Sequence, residues 1–210
     1  MLRQSSLSFI LIIAIAAISL VYVGCSQPPA SSDKKGSKDA GSKPDESLVK
    51  PALGEVAFTL PKDWILLKQP ASNKPKEVES LSFIRKIDQS LWANPGPVGT
   101  SNLPIMNILV SRRAADASRD DINPQKLGNS LVKQGVLSNL VEAEEIQVTN
   151  LPATKIVGDS LQQGRITIVL LPHNGYLYKW SLFGTKPDDK ESAAALDTLL
   201  ASRNIRLRTV

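Results

Sequence analysis

The sequence predicts an α+β fold, a mostly antiparallel β-sheet packed against at least two helices. Three observations predict it. Short runs of alternating apolar residues recur from Glu55 onward, the period of half-buried strands. Two such runs, Ile166–Leu170 and Tyr176–Leu182, flank Asn174-Gly175, a dipeptide that tolerates the positive φ values of tight hairpins. Two helical segments, opening at Asn123-Pro124 and at Pro187, interrupt and close the series.

The elements follow in order. Val56, Phe58 and Leu60 share one face of a strand over Glu55–Leu60 that stops at Pro61. Lys62-Asp63-Trp64 turns the chain, and Ile65–Leu67 makes a short second strand. Leu81, Phe83 and Arg85 alternate with serines in a third. Met106, Ile108 and Val110 define a fourth, ending at Arg112-Arg113. Between these two, Leu91–Pro104 carries Trp92 and Asn94-Pro95-Gly96-Pro97, and its prolines and glycines exclude regular structure.

Asn123 then caps a helix with Pro124 at its first position. Leu127 and Leu131 lie one turn apart, so this helix runs to about Gly135 or Leu137. Ile146 and Val148 suit a strand, as do Ala153–Val157 after a turn at Asn150-Leu151-Pro152. Ile166, Ile168 and Leu170 share a strand face that ends at Pro172, and His173-Asn174-Gly175 reverses the chain. His173, the sole histidine, reads as a solvent-facing turn residue. Tyr176, Tyr178, Trp180 and Leu182 align on the returning strand, as a face covered by the closing helix or, if uncovered, a ligand groove. Pro187 opens that helix, with Asp188, Asp189 and Glu191 at the positive end of its dipole. Leu196, Leu199 and Leu200 form its apolar stripe, and Arg203 and Arg206 fall near its end.

The N-terminal region has a different character. Met1–Ser8 is a polar start bearing Arg3, and Phe9–Val23 is apolar apart from Ser19 and the amphipathic Tyr22. Its 15 residues fall short of the roughly 20 needed to span a bilayer, so residues 1–24 read as a secretory signal. Small Gly24 precedes Cys25, the only cysteine in the 210 residues. The stretch Tyr22-Val23-Gly24-Cys25 resembles the lipobox of bacterial lipoproteins, with Tyr22 standing where an aliphatic residue is usual. The resemblance implies cleavage between Gly24 and Cys25, a diacylglyceryl thioether on Cys25 and an amide-linked acyl chain such as palmitate. The readings against it are an ordinary signal peptide or an uncleaved anchor. Each buried methylene contributes about 0.8 kcal/mol, so several chains hold the protein to a membrane. Ser26 in place of Asp favours the periplasmic face of the outer membrane if the envelope is Gram-negative.

Residues 25–52 read as the lipidated cysteine and a disordered tether. Pro28, Pro29, Gly36, Gly41 and Pro44 alternate with serines and charges, and no aromatic residue appears. By random-coil scaling the tether spans roughly 25–30 Å. Residues 53–210 are long enough for one core of ordinary size. The formal net charge of +5 falls to about +3 for this part once Arg3 and the tether, five lysines against four acids, are set aside. So mild a balance is no footprint for nucleic acid.

Phe58, Pro61 and Trp64, the strands around Leu151-Pro152-Ala153, and Gly175, Tyr176 and Tyr178 before a closing helix together resemble PsbP-like domains over most of residues 53–207. The resemblance implies an α-β-α sandwich around the antiparallel sheet. It also implies a binding or assembly factor rather than an enzyme, as in photosystem accessory proteins and bacterial lipoproteins. The matching positions are structural, so no functional residue is carried over.

The chemistry-bearing residues are sparse. A lone histidine leaves no partner set for a metal site or a Ser-His or Cys-His pair. Asp116, Ser118, Asp120 and Asp121 begin like a calcium loop but lack its turn glycine and bidentate glutamate, so they read as a solvated loop. Glu142 and Glu144 share one face of a strand, as on an exposed edge. Trp92 is the binding candidate, an aromatic in a loop, with Arg112 and Arg113 adding an anionic contact beside it. The expectation is a lipid-anchored, extracytoplasmic binding or assembly module. It has no catalysis and no cofactor, and it has a membrane and an envelope protein as partners. The alternatives are an enzyme using Glu142, Glu144, Asp116 and Asp159 with raised pKa values, or a purely structural envelope lipoprotein.

Overall fold

A computed structural model describes residues 48–54, 56–67, 78–93, 103–113, 122–201 and 205–207. All of these belong to one compact unit that begins at Ser47. It opens on β1 (Leu48–Val49), β2 (Val56–Thr59), β3 (Trp64–Leu66) and β4 (Val78–Arg85). A 3-10 turn at Lys86–Asp88 leads into the short α1 (Gln89–Ala93), then β5 (Ile105–Arg112) and α2 (Pro124–Lys133). Four long strands follow: β6 (Asn139–Val148), β7 (Leu151–Ser160), β8 (Gly164–His173) and β9 (Tyr176–Thr185). The chain closes with α3 (Lys190–Leu200) and β10 (Ile205–Leu207).

Two antiparallel sheets result. Seven strands run in the order β3-β4-β5-β9-β8-β7-β6, and a smaller sheet has the order β1-β2-β10. The alternation read at Val56 and Phe58 is the reason the two sheets meet. Both side chains are buried, and the ring of Phe58 stands edge-on to that of Phe83, centroids 6.0 Å apart at 85°. Pro61 and Trp64 form the corner between the sheets. The Trp64 N–H donates to the Pro61 carbonyl, and Asp63 takes φ 68° to complete the turn.

The small sheet and α3 cover one face of the large sheet. Leu196, Leu199 and Leu200 join Phe58, Met106, Ile108, Tyr178, Trp180 and Leu182 in one core. On the other face α2 lies against β6 and β7. There Leu127 and Leu131 are buried, and the Thr154 hydroxyl donates to the Ile122 carbonyl at the start of the helix. The architecture is the expected α+β sandwich.

Several expected details change. Leu48 and Val49, read as tether, pair with Thr59 and Phe58, so ordered structure begins before residue 53. The β6–β7 reversal is Thr149-Asn150, with φ 51° and 65°, and Leu151 and Pro152 already belong to β7. Proline is tolerated there because pairing with β8 starts only at Thr154, so no ladder bond is lost. The closing helix begins at Lys190 rather than Pro187, since the Asp189 side chain accepts from the Ser192 N–H as its cap. Arg206 lies on β10, opposite Ala57, and not on the helix.

Candidate functional site

The described structure separates the binding residues expected from sequence. Trp92 is half-buried on α1 rather than in a loop, because the helix closes just before the Pro/Gly stretch starts. Ile84 at the end of β4 pairs with Ile105, so α1 stands near the beginning of β5. Arg112 ends that strand, roughly 24 Å away at the rise of a β-strand. It lies across from Tyr176, while the Arg113 N–H donates to the Gly175 carbonyl at 2.8 Å. Both arginines thus flank the β8–β9 hairpin tip, and neither stands beside Trp92. Ile87 and Leu91 are exposed on the 3-10 turn and α1, which makes an apolar tip with Trp92. Gly24, Cys25 and Asp116–Asp121 lie outside the described residues.

The aromatic stripe is core. Tyr178, Trp180 and Leu182 are buried beneath α3 and the small sheet, and Tyr178 stacks on Trp180 at 6.1 Å and 24°. Tyr176 sits half-buried at its rim. His173 is not a solvent-facing turn residue but the last residue of β8, with Nε2 shielded and unbonded.

The acids are organised by cations. Lys155 Nζ lies 3.2 Å from Glu142 and 3.4 Å from Glu144, on the edge strand pair β6–β7. Burial alone would lower the Lys155 pKa, but the hydrogen bonds and charges of the two glutamates outweigh it and raise it. Arg165 holds Asp159 at 2.9 Å, and that hydrogen bond keeps the Asp159 carboxyl below the usual carboxylate range. This is opposite to the raised value a general acid would need. Among the described residues no group of three His, Cys, Asp or Glu is placed to hold a metal ion.

One hollow of about 120 Å³ lies between the start of α2 and the β6–β7 hairpin, walled by Asn123, Glu145 and Thr154. Organic ligands of ordinary size occupy roughly 300–1,000 Å³, so it suits solvent better than a substrate.

Sequence reasoning missed a different cluster. Lys179, in the central strand β9, is only 5% exposed, and burial pushes its pKa down to about 8. Asn107 and Ser111 on β5 lie on the same face, also buried. Its direction was readable, since a lysine between Tyr178 and Trp180 on a strand points to the side opposite the aromatic stripe.

The sequence matches no protein-family model and no curated protein. Among solved structures, the chain is similar to cyanobacterial PsbP (CyanoP) from Synechocystis at 14% identity, with TM-score 0.50, covering 81% of this chain and 98% of that one. The fold is PsbP-like. A looser likeness, at 14% identity and TM-score 0.39, is to LpqN of Mycobacterium tuberculosis, described as involved in cell envelope biogenesis. It covers 73% of this chain and 83% of that one. In the PsbP-like fold the residues that carried the sequence resemblance, Phe58, Pro61, Trp64 and Tyr178, are packing positions. No helix among the described residues is long and apolar enough to cross a membrane.

Proposed function

We propose that this protein is a lipid-anchored module of the cell envelope that binds or helps assemble a partner protein and catalyses no reaction. The observation that carries this reading is the layout of the chain. Its only cysteine stands at position 25 behind an apolar leader, and the compact unit begins only at Ser47. The sequence contains no other thiol, so Cys25 has no disulfide partner within this chain, which favours the acyl chemistry its neighbours resemble. Acylation would set the domain on the extracytoplasmic side, at the periplasmic face of the outer membrane in a Gram-negative envelope.

The PsbP-like fold supports an accessory role, since the family resemblance implies binding and assembly factors. Exposed Ile87 and Leu91 beside Trp92 supply an apolar contact for a protein partner. Ion pairing of Glu142, Glu144 and Asp159 supports a structural duty for those acids.

Mass spectrometry of the mature N-terminus, with membrane fractionation, tests the anchor. The native chain is expected in the membrane with acylated Cys25, and Cys25→Ser is expected in the soluble fraction. Retention of Cys25→Ser at the membrane would overturn the lipoprotein reading. Crosslinking with native and Trp92→Ala protein tests the partner surface, and recovery of identical partners from both removes Trp92 from it.

A further inference from the structure

Separate turns bring exposed apolar side chains to one end of the large sheet. Leu161, in the β7–β8 turn, is 93% exposed, and Ile87, in the 3-10 turn after β4, is 80% exposed. The register places both on the same rim. Gly164 closes the β7–β8 turn across from Ser160, and the Gly184 N–H donates to the Gln163 carbonyl beside it. A Cβ on Gly184 would meet the Leu103 carbonyl, so the end of β9 adjoins the start of β5. Ile105 on β5 lies across from Ile84, just before Ile87 along the chain. Strand order separates the two side chains by three or four strand spacings, roughly 14–19 Å. The opposite end of the sheet turns on polar residues, Thr149-Asn150 and His173-Asn174-Gly175.

The chain enters the compact unit at that same end. Leu48 lies across from Thr59, and from Thr59 the chain runs on to the corner at Pro61. The Asp63 carbonyl of that corner accepts the Lys86 N–H at 2.7 Å, next to Ile87. Only Leu60, Pro61 and Lys62 separate Thr59 from Asp63, at most about 14 Å of chain. The segment that follows Cys25 therefore joins the domain near the 3-10 turn.

Neither apolar side chain serves the fold, since both stand almost wholly in solvent. Single apolar residues scattered over a surface are ordinary. These two are the most exposed large apolar side chains among the described residues, and they project from unrelated turns. They also share the end at which the tether arrives. Points so far apart form no groove for a peptide. They suit a broad apolar layer that meets both at once.

We propose that this end of the domain docks on the lipid bilayer, with Ile87 and Leu161 entering the boundary between headgroups and acyl chains. The inference rests on the reading of Cys25 as an acylated anchor. A tether of roughly 25–30 Å holds the domain within reach of the surface, and its point of entry presents this rim first. Charges at this end are mixed, Lys62 beside Asp63 and Lys186 near Asp188, so the contact is apolar and needs no anionic lipid. Half-buried Trp92 lies at the edge of the contact, so a partner protein that uses it is met at the bilayer surface.

Phosphatidylcholine vesicles with nitroxide groups high on their acyl chains test the docking, the mature chain being inserted through its anchor. Acylation blocks the Cys25 thiol, so Ile87→Cys, Leu161→Cys and, at the far end of β5, Arg112→Cys each offer one site for a fluorophore. All three positions are exposed, so the fold tolerates the label. The nitroxides are expected to quench the label at 87 and 161 and to spare it at 112. Ile87→Asp should relieve the quenching at 161, because the two side chains share one contact. Equal quenching at all three positions, or none at any, would overturn the docking while leaving the anchor in place. Shielding of 87 and 161 by an added protein, without quenching by lipid, would assign the rim to a protein and also overturn it. A label that enters at Cys25 shows an unacylated thiol, and the inference then falls with the reading on which it rests.

Discussion

Glu79 Oε2 accepts the backbone N–H of Leu53 at 2.6 Å and so ties the strap before β2 to strand β4 of the large sheet. The strap lies close over the core at Gly54. Its φ is 81°, and a Cβ there would fall 2.8 Å from Val110 Cγ1 and 3.0 Å from Tyr178 Oη. Glu79→Ala removes the acceptor and leaves the amide to find another. The expected cost is about 1–3 kcal/mol in denaturant unfolding. Hydrogen exchange at Leu53 should accelerate while the β8–β9 hairpin stays protected. Unaltered exchange at Leu53 would show that other contacts seat the strap.

Lys179 gives the fold a signature in alkaline solution. Its folded pKa is lowered to about 8 from 10.5 by burial, so between those values the unfolded chain binds more protons than the native one. Stability therefore rises with pH through that window, by an amount on the order of 3 kcal/mol, and the penalty is fully present below pH 8. Lys179→Met should be more stable than the native chain at pH 7 and should lack the alkaline rise. Urea midpoints measured from pH 7 to 10.5 would show both effects, and parallel curves for the two proteins would contradict them.

Phe58 packs the small sheet onto the large one, its ring edge-on to that of Phe83. Truncation to alanine leaves a cavity at a fully buried site. The expected loss is about 3–5 kcal/mol, a fall in melting temperature of roughly 10 °C for a domain of this size. Calorimetry decides it, and a loss under about 1 kcal/mol would mean that the two sheets close over the gap.

The ion pairs around Lys155 are expected to matter little for stability and more for solubility. They are partly exposed, so Lys155→Ala should cost less than about 1 kcal/mol, and less still in high salt. Glu142 and Glu144 nevertheless guard the unpaired side of β6, the last strand of the sheet. Replacing both with valine should leave a folded monomer that self-associates on concentration, as light scattering would report. A double variant that stays monomeric would assign the edge protection to the bulge between Leu140 and Glu142.

Much of this architecture was legible because burial leaves a period of two in the residues. Val56/Phe58, Met106/Ile108/Val110 and Ile166/Ile168/Leu170 announce their strands, and Asn174-Gly175 announces its hairpin. The start of β6 was hidden by Glu142, Glu144 and Glu145, whose charges erase the alternation in an edge strand with no second partner. β1 and β10 were missed because two or three residues carry no period, and only pairing with β2 makes them strands. Lys179 escaped notice for a different reason. A lysine in a strand reads as solvent-facing, and only the register of β5 and β8 on either side shows that it is enclosed.

The small sheet also bears on how the domain is made. β2 lies between β1 and β10, so Phe58 finds its second partner, Ile205, only once synthesis has passed residue 205. A polypeptide emerging N-terminus first has its early strands ready long before the last one arrives. Pairings so distant in sequence are slow to form, and until β10 docks one edge of β2 is open. Closure of the small sheet therefore waits for β10, and a chain cut short before Ile205 would keep β2 paired on one side alone.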